Sequence, residues 1–273
     1  MYEILRSCFH GLYITPQLYE RTLGSKSNVF LTEHCHGAVA GFSVLRGPSI
    51  LMLCVLPEYR RRGIGTRLLA RSEAYIAARG AGTVILGCGD DYLFQGVPVS
   101  YGAVPFFEKR GYFADWVSAD LTLNLSQYST PNIPPSPYDI RFGLPSDKVL
   151  AQISNAVEEV DSDWISYFAV PNAPVFAAWR NENLAGFLLL DDHADVPYCP
   201  FDARVGTIGC VGVLPAYRKQ GIGLRMVDAA TRELIARGCA WAHIGYTHLS
   251  HWYGRIGYQV CMEFWMGEKR LLN

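Results

Sequence analysis

Two stretches of this chain put the same residue types in the same order: VLPEYRRRGIGTRLL over residues 55–69 and VLPAYRKQGIGLRMV over residues 213–227. Each reads as an apolar run, a proline turn, a loop of arginines and glycines, and then an amphipathic helix. Glycines at the mouth of a helix let a ligand approach the backbone closely. The outward N–H groups and the helix dipole favour an anion there, so phosphate is the natural guest. Neither stretch is a Walker loop, since no Lys-Ser/Thr follows the last glycine, and neither has the third glycine of a dinucleotide fingerprint. Groups that move protons stand downstream of the second stretch. Tyr253 lies four residues before Gly257, His243 lies in the intervening apolar run, and His248 and His251 precede the tyrosine closely. A phenol with a pKa of about 10 can protonate a leaving anion, and an imidazole of about 6.5 can draw a proton from an ammonium. At the place of Tyr253 the first half of the chain has Phe107, which has no proton to give.

The two stretches form an internal repeat. Pro57 and Pro215, Arg60 and Arg218, Gly63 and Gly221, Gly65 and Gly223, and Gly80 and Gly238 are each 158 positions apart. That period is too long for a solenoid, so the chain reads as a duplicated domain. The closing motifs, FEKRGY ending at Tyr112 and YGRIGY ending at Tyr258, are offset by 146, which leaves twelve extra residues in the first copy within GCGDDYLFQGVPVSYGAVP. This insert is either a binding loop, with residues 90–101 shaping an acceptor site, or a cover over a sheet edge.

The Arg-x-x-Gly-x-Gly loop after Val-x-Pro, together with the downstream Gly-aromatic ending, resembles the acetyl-coenzyme A pyrophosphate loop of the GNAT acyltransferases. The resemblance covers nearly the whole chain as two units. It implies an α/β fold of two tandem domains, each a twisted mixed sheet, mostly antiparallel, with a parallel splayed pair of strands and flanking helices. It also implies acetyl-CoA as donor and direct transfer of the acetyl group to a primary amine, without a covalent enzyme intermediate. By the same resemblance, the backbone of Val211, Gly212 and Val213 bonds the pantetheine arm, and Arg218, Lys219, Gln220, Gly221, Ile222, Gly223 and Leu224 take the pyrophosphate. Leu53 and Val55, with Arg61, Arg62, Gly63, Ile64, Gly65 and Thr66, match them in the first unit. Tyr253 then protonates the coenzyme A thiolate. His243 is the first choice of base, with His248, His251 and the acidic group of Asp191, Asp192 and Asp195 as others. The asparagine common upstream of the family tyrosine is missing, and Thr247 is the nearest polar residue. The second unit is accordingly expected to be catalytic and the first a binding or structural unit. Catalysis by the first unit and a non-catalytic acyl-CoA sensor are the alternatives. The acceptor, a small-molecule or peptide amine, is set by variable loops that the motifs do not encode.

These groups need elements to position them. Residues 50–56 read as a buried strand leading to the first loop, 63–79 as a helix stopped by Gly80, and 83–86 as a returning strand, a strand-helix-strand crossover. Residues 29–32 and 38–45 read as a strand pair around His36-Gly37, 15–23 as a helix and 2–5 as a short strand. The order repeats from Asp139, with strands over 175–179, 184–190, 206–213 and 241–245 and a helix over 223–237. The four prolines of SQYSTPNIPPSPY, residues 126–138, break this rhythm, so domains are expected over 1–128 and 139–273 with a linker over 129–138.

Half of the residues are apolar, enough for two cores, and a net charge of −1 makes no case for nucleic acid or an anionic membrane as partner. No apolar run approaches the roughly 20 residues of a membrane helix, and the first residues lack a signal-peptide layout. A soluble, cytoplasmic protein is expected, with a homodimer open beside a monomer. The eight cysteines include no Cys-x-x-Cys pair and no zinc spacing, so they read as small buried hydrophobes and no metal is expected.

Overall fold

A computed structural model describes residues 1–88, 91–133, 139–200 and 202–271. Contacts divide it into two units: the described parts of Met1–Ala119, Val196–Phe201 and Met262–Asn273 form the first, and those of Asp120–Asp195 and Asp202–Cys261 the second. This differs from a split at the proline-rich stretch, of which residues 134–138 lie outside the described residues. The boundary falls where strand partners far apart in sequence claim the chain, a pairing that local composition does not reveal.

The first unit begins with α1 (Tyr2–Cys8) and α2 (Pro16–Thr22), followed by strands β1 (Val29–Cys35), β2 (Ala38–Arg46) and β3 (Ser49–Val55). Residues 2–5 are thus helical and not the expected strand. Leu5 and Cys8, one turn apart, bury one face of α1, while Glu3 and Arg6 pair on the exposed side at 3.7 Å. A 3-10 turn at Pro57–Tyr59 leads into α3 (Ile64–Ala77) and β4 (Thr83–Leu86), and the insert contributes β5 (Val97–Pro98) before α4 (Val104–Glu108). Next comes β6 (Val117–Asn124), whose residues from Asp120 onward belong to the second unit.

The second unit continues with β7 (Arg141–Gly143), the short helices α5 (Asp147–Leu150), α6 (Ile153–Val160) and α7 (Ile165–Phe168), and strands β8 (Val175–Arg180), β9 (Asn183–Ala194) and β10 (Val205–Val213). A second 3-10 turn at Pro215–Tyr217 precedes α8 (Ile222–Ala236), β11 (Trp241–Thr247) and α9 (Ser250–Gly254). The chain then runs through β12 (Gln259–Trp265) to β13 (Glu268–Arg270), which pairs with β4 in the first unit.

Among the described residues the sheet of the first unit runs β1-β2-β3-β4-β13, and that of the second unit includes β11-β10-β9-β8-β7. Most recorded pairings are antiparallel, and the parallel ones are short. β3 meets β4 at Ser49↔Ile85 and Ile50↔Leu86, and β10 meets β11 from Val205↔Trp241 to Thr207↔His243. Both leading strands run on past these ladders, and both carry a bulge just beyond, shown by register shifts at Val44/Leu45 against β3 and at Gly209/Gly212 in β10. A bulge bends its strand and ends local pairing, so each parallel pair parts toward its Arg/Gly loop. The cores hold these strands in place. Leu45, Ile50, Leu69, Ile76 and Val84 pack together in the first unit, and Val149, Ile153, Val157, Val175 and Phe187 in the second. Each such burial contributes about 1.5–3 kcal/mol. No helix among the described residues is long and apolar enough to cross a membrane.

Candidate functional site

The two Arg/Gly loops fold alike. Arg61 and Lys219 both lie at φ 61°, and Gly63 and Gly221, which precede α3 and α8, lie at 77° and 73°. Left-handed residues at the mouth of a helix turn successive N–H groups toward one concave side, which suits an anion. Arg60 and Arg218 lock this shape: Arg60 Nε donates to the Val55 carbonyl at 3.0 Å, and Arg218 Nε to the Val213 carbonyl at 2.9 Å. Arg218 therefore spends this donor on its own strand. The next glycine is less crowded in the first loop than in the second. A Cβ at Gly65 would lie 3.5 Å from the Phe106 ring, and one at Gly223 would lie 3.2 Å from the Trp252 ring.

In the first unit the loop borders a cavity of about 710 Å³. Leu53, Val55, Arg61, Gly63, Ile64, Gly65 and Thr66 all line it, so most of the residues expected to hold a donor there share one space. Arg62 stands apart, with its guanidinium 5.8 Å from the centre of the Tyr59 ring. Phe94, Val97 and Tyr101 bring the insert into the wall, while Val97 and Pro98 also pair with β12. Both readings of the insert thus have a structural counterpart, although Asp90 lies outside the described residues.

Arg110 is a cavity residue that the sequence motifs did not single out. Its guanidinium stacks 3.9 Å from the centre of the Phe106 ring and donates to the Phe106 carbonyl at 2.6 Å and to Thr66 Oγ1 at 2.7 Å. Its Nε is buried without a hydrogen-bond partner. Leaving a cationic donor unsatisfied is costly, and an anionic oxygen would relieve that cost. The matching position in the second closing motif is Ile256, which is apolar and buried.

Two cysteines complete this wall. Cys8 donates its thiol hydrogen to the Val55 carbonyl at 3.5 Å, and both Cys8 and Cys54 line the cavity. The hydrogen bond from the Cys54 thiol, helped by the Arg60 guanidinium, outweighs burial and holds the Cys8 thiol down at about 7. Burial pushes the Cys54 thiol well up, and contact with Cys8 adds to the effect.

The second unit holds the expected acid and base differently. Tyr253, on α9, is 5% exposed, and burial, with Cys210 second, pushes its phenol up. Its ring meets Trp252 edge to face with centroids 4.8 Å apart. His243, on β11, places Nε2 3.4 Å from Asp120 Oδ2, and both residues are buried. Asp120 Oδ1 also accepts the Tyr246 N–H at 3.1 Å, which fixes the left-handed residue after Gly245. Asp120 escaped the sequence reading because it precedes the proline-rich stretch and so counts, by position, with the other domain.

The remaining candidates are dispersed. Gly212 lies against Phe187, whose ring a Cβ would approach to 2.5 Å, Val211 sits in the β10 bulge, and Val213 ends the strand. Gln220 donates to the Ala216 carbonyl at 3.2 Å, and Ile222 and Leu224 are buried on α8. Thr247 Oγ1 accepts the Leu249 N–H at 3.0 Å ahead of α9, while His248 and His251 are exposed. Asp191, Asp192 and His193 bring possible ligand atoms within 4.8 Å of one another. Asp192 is already bonded to His193 at 2.7 Å and to Arg204 at 2.6 Å, and the His193 contact leads in holding its carboxyl down. These residues lie at the end of β9 and not beyond a strand, with Asp191 and His193 exposed, the pattern of a solvated acidic strand end.

Residues 147–258 match the acetyltransferase (GNAT) family and residues 25–113 match an acetyltransferase (GNAT) domain. The chain is a tandem GNAT protein. Similar solved structures include the glucosamine N-acetyltransferase region of a fungal multi-domain β-N-acetylglucosaminidase, with a TM-score of 0.80 and 21% identity, covering 97% of this chain and 36% of that one. A GNAT-type N-acetyltransferase from Sphaerobacter thermophilus gives 0.64 and 21%, covering 86% and 78%. A tandem GNAT protein of the clavulanic acid biosynthesis pathway gives 0.61 and 15%, covering 93% and 86%. At these identities the likeness is one of fold, and this chain spans only about a third of the fungal protein. Comparison with curated protein sequences returns no match.

Proposed function

We propose that this tandem GNAT protein transfers an acyl group from acyl-CoA, acetyl-CoA in the first instance, directly to a primary amine, with the donor held in the first unit. The observation that carries this reading is the cavity of about 710 Å³ that joins the 61–66 loop to the bulged strand β3. The residues present suit such a donor. The helix-mouth N–H groups and Arg110 face the place for a pyrophosphate, and the stretch of β3 beyond its short ladder with β4 offers backbone groups that an amide-bearing arm can pair with like an added strand. When bound, the donor supplies an activated acyl carbonyl. The chain holds and orients it, and the apolar walls from Leu53, Phe94 and Phe106 exclude water. This assigns the donor to the unit that the closing motifs alone rank second.

A second reading keeps the chemistry in the second unit. The observation that favours it is the buried His243–Asp120 pair, in the same unit as Tyr253, an acid-base set with no counterpart at Ile85 and Phe107. The two readings separate in an assay of CoA release from acetyl-CoA over a panel of amines. Glucosamine comes first in that panel because the fungal neighbour is described as acting on it. Loss of turnover in folded Gly65→Val but not in Gly223→Val is the expected result, and the reverse pattern transfers the reaction to the second unit.

A further inference from the structure

We infer that the acceptor taken in the first unit is an aromatic amine, its ring seated against Phe9, Phe94 and Tyr101. This names the acceptor class for the reading above and rests on the seating of the donor in that unit.

The wall comes from the insert, which the second copy lacks, and from the end of α1. The Gly87 N–H donates to the Ile50 carbonyl at 2.8 Å and the Cys88 N–H to the Phe94 carbonyl at 3.2 Å. The insert thereby folds Phe94 back toward the last recorded rung of the β3–β4 pair, Ile50↔Leu86. Phe9 meets Phe94 and Tyr101 edge to face, with ring centroids 4.9 and 4.8 Å away. The Tyr101 hydroxyl donates to the His10 carbonyl at 3.2 Å and ties the insert to the residues after α1. All three rings border the cavity, and with Phe94 2% exposed and Tyr101 37% the wall runs from the interior to the rim. An aromatic ligand offers such rings the offset and edge contacts they favour. A donor with its phosphates at the 61–66 loop and its arm along β3 brings its acyl end toward Ile50, and so toward this wall.

Charge and proton chemistry point the same way. Ile85 and Phe107 stand at the places of His243 and Tyr253. The charged side chains among the described cavity residues, Arg60, Arg61, Lys109 and Arg110, are all cations. They repel an ammonium, and each already holds its proton. An aromatic amine shares its nitrogen lone pair with the ring, stays unprotonated at neutral pH and needs no base before it attacks. Its nitrogen attacks the acyl carbonyl carbon, the carbon–nitrogen bond forms, and the bond from that carbon to the CoA sulfur breaks. The proton that the nitrogen loses balances the one that the CoA thiolate takes up, and nothing is oxidised or reduced.

The test compares aniline with glucosamine and with cyclohexylamine, which matches the ring in size but is an ammonium at neutral pH. The full chain is assayed by CoA release from acetyl-CoA and by calorimetric titration of each amine into the CoA-saturated protein. Aniline should exceed the other two in kcat/KM and in affinity by at least about tenfold. Phe94→Leu, which keeps an apolar core residue, and Tyr101→Ala, at the rim, should each weaken aniline binding about tenfold and leave CoA affinity within about twofold. Equal or better use of cyclohexylamine or glucosamine, no binding of aniline, or aniline binding unchanged in both variants overturns the inference. Tighter binding of hexanoyl-CoA than of acetyl-CoA, lost in the same variants, gives the aromatic wall to the acyl chain and overturns it too. Where CoA affinity still falls in Gly65→Val, these failures count against the acceptor class alone. Where it does not, the seating of the donor falls as well.

Discussion

The first and second Arg/Gly loops have nearly the same backbone, with matched φ angles at Arg61 and Lys219 and matched arginine-to-strand bonds. What surrounds them differs. The first borders a cavity of about 710 Å³, whereas a smaller cavity in the second unit, about 160 Å³, is lined by Thr130, Phe142 and Asp228 and by none of residues 211–224. Three differences between the copies, two substitutions and one insert, account for the contrast in physical terms. Phe106 is replaced by the larger Trp252 against the helix-mouth glycine, Arg110 by Ile256, and the insert that walls the first cavity is missing from the second copy. A phosphate loop is therefore a local structure that duplication copies faithfully, while a donor site also needs walls, which the copies have changed independently.

The largest expected effect sharpens this contrast directly. Gly65→Val should place two methyls against Phe106 and Val55 and weaken CoA binding by about 10²-fold, or ~2.7 kcal/mol, by calorimetric titration. Gly223→Val should leave affinity within about twofold, and equal losses in the two variants would erase the distinction.

Next in size is a stability effect confined to the second unit. Asp120→Asn keeps an oxygen for the Tyr246 N–H but removes the carboxylate that faces His243, and a loss of about 1–3 kcal/mol in urea unfolding is expected with CoA affinity unchanged. A coupled loss of CoA affinity would tie this pair to donor binding.

Smaller still is the expected consequence of Tyr253→Phe. The ring packing against Trp252 is retained, so stability should change by less than about 1 kcal/mol and turnover by less than about twofold. A fall of about 10²-fold or more would identify Tyr253 as the acid and move the reaction to the second unit.

The smallest effect concerns a clamp found at the first loop. Glu33 accepts from Arg67 at 2.8 Å and from Arg71 at 2.9 Å, tying β1 to α3, and these contacts, Arg67 foremost, hold its carboxyl below the usual 4.5. A depressed carboxyl contributes stability above pH 4.5 that is lost as pH falls through its folded value. Both arginines are about half exposed, so Glu33→Gln should cost less than about 1 kcal/mol at pH 7, and the difference from the parent in thermal melts should shrink in acid.

How much of this was legible in the sequence follows the range of the interactions involved. The loops, the helices after them and the strands leading in were readable because Gly63 and Gly221 encode their left-handed turns locally, and the constant spacing carried one reading onto the other copy. The contacts that decide the site are of longer range. Asp120 meets Tyr246 of β11 across 126 positions, and Cys8 meets Val55 across 47, neither announced by a motif. Residues 2–5 misled for a related reason: a run of four residues fits strand or helix alike, and the choice falls to Cys8, which extends the buried face by one helical turn. The insert was visible as extra length, but its place in the wall depends on Val97 and Pro98 pairing with β12, far along the chain.

The central claim is that the donor seats in the first unit, and hydrogen exchange with and without CoA tests it most directly. Added CoA should slow exchange in peptides spanning residues 50–66 and leave those spanning 208–224 unchanged, because backbone N–H groups at the loop and strand end would be taken by the ligand. Protection confined to 208–224 would contradict the claim and place the donor at the second loop.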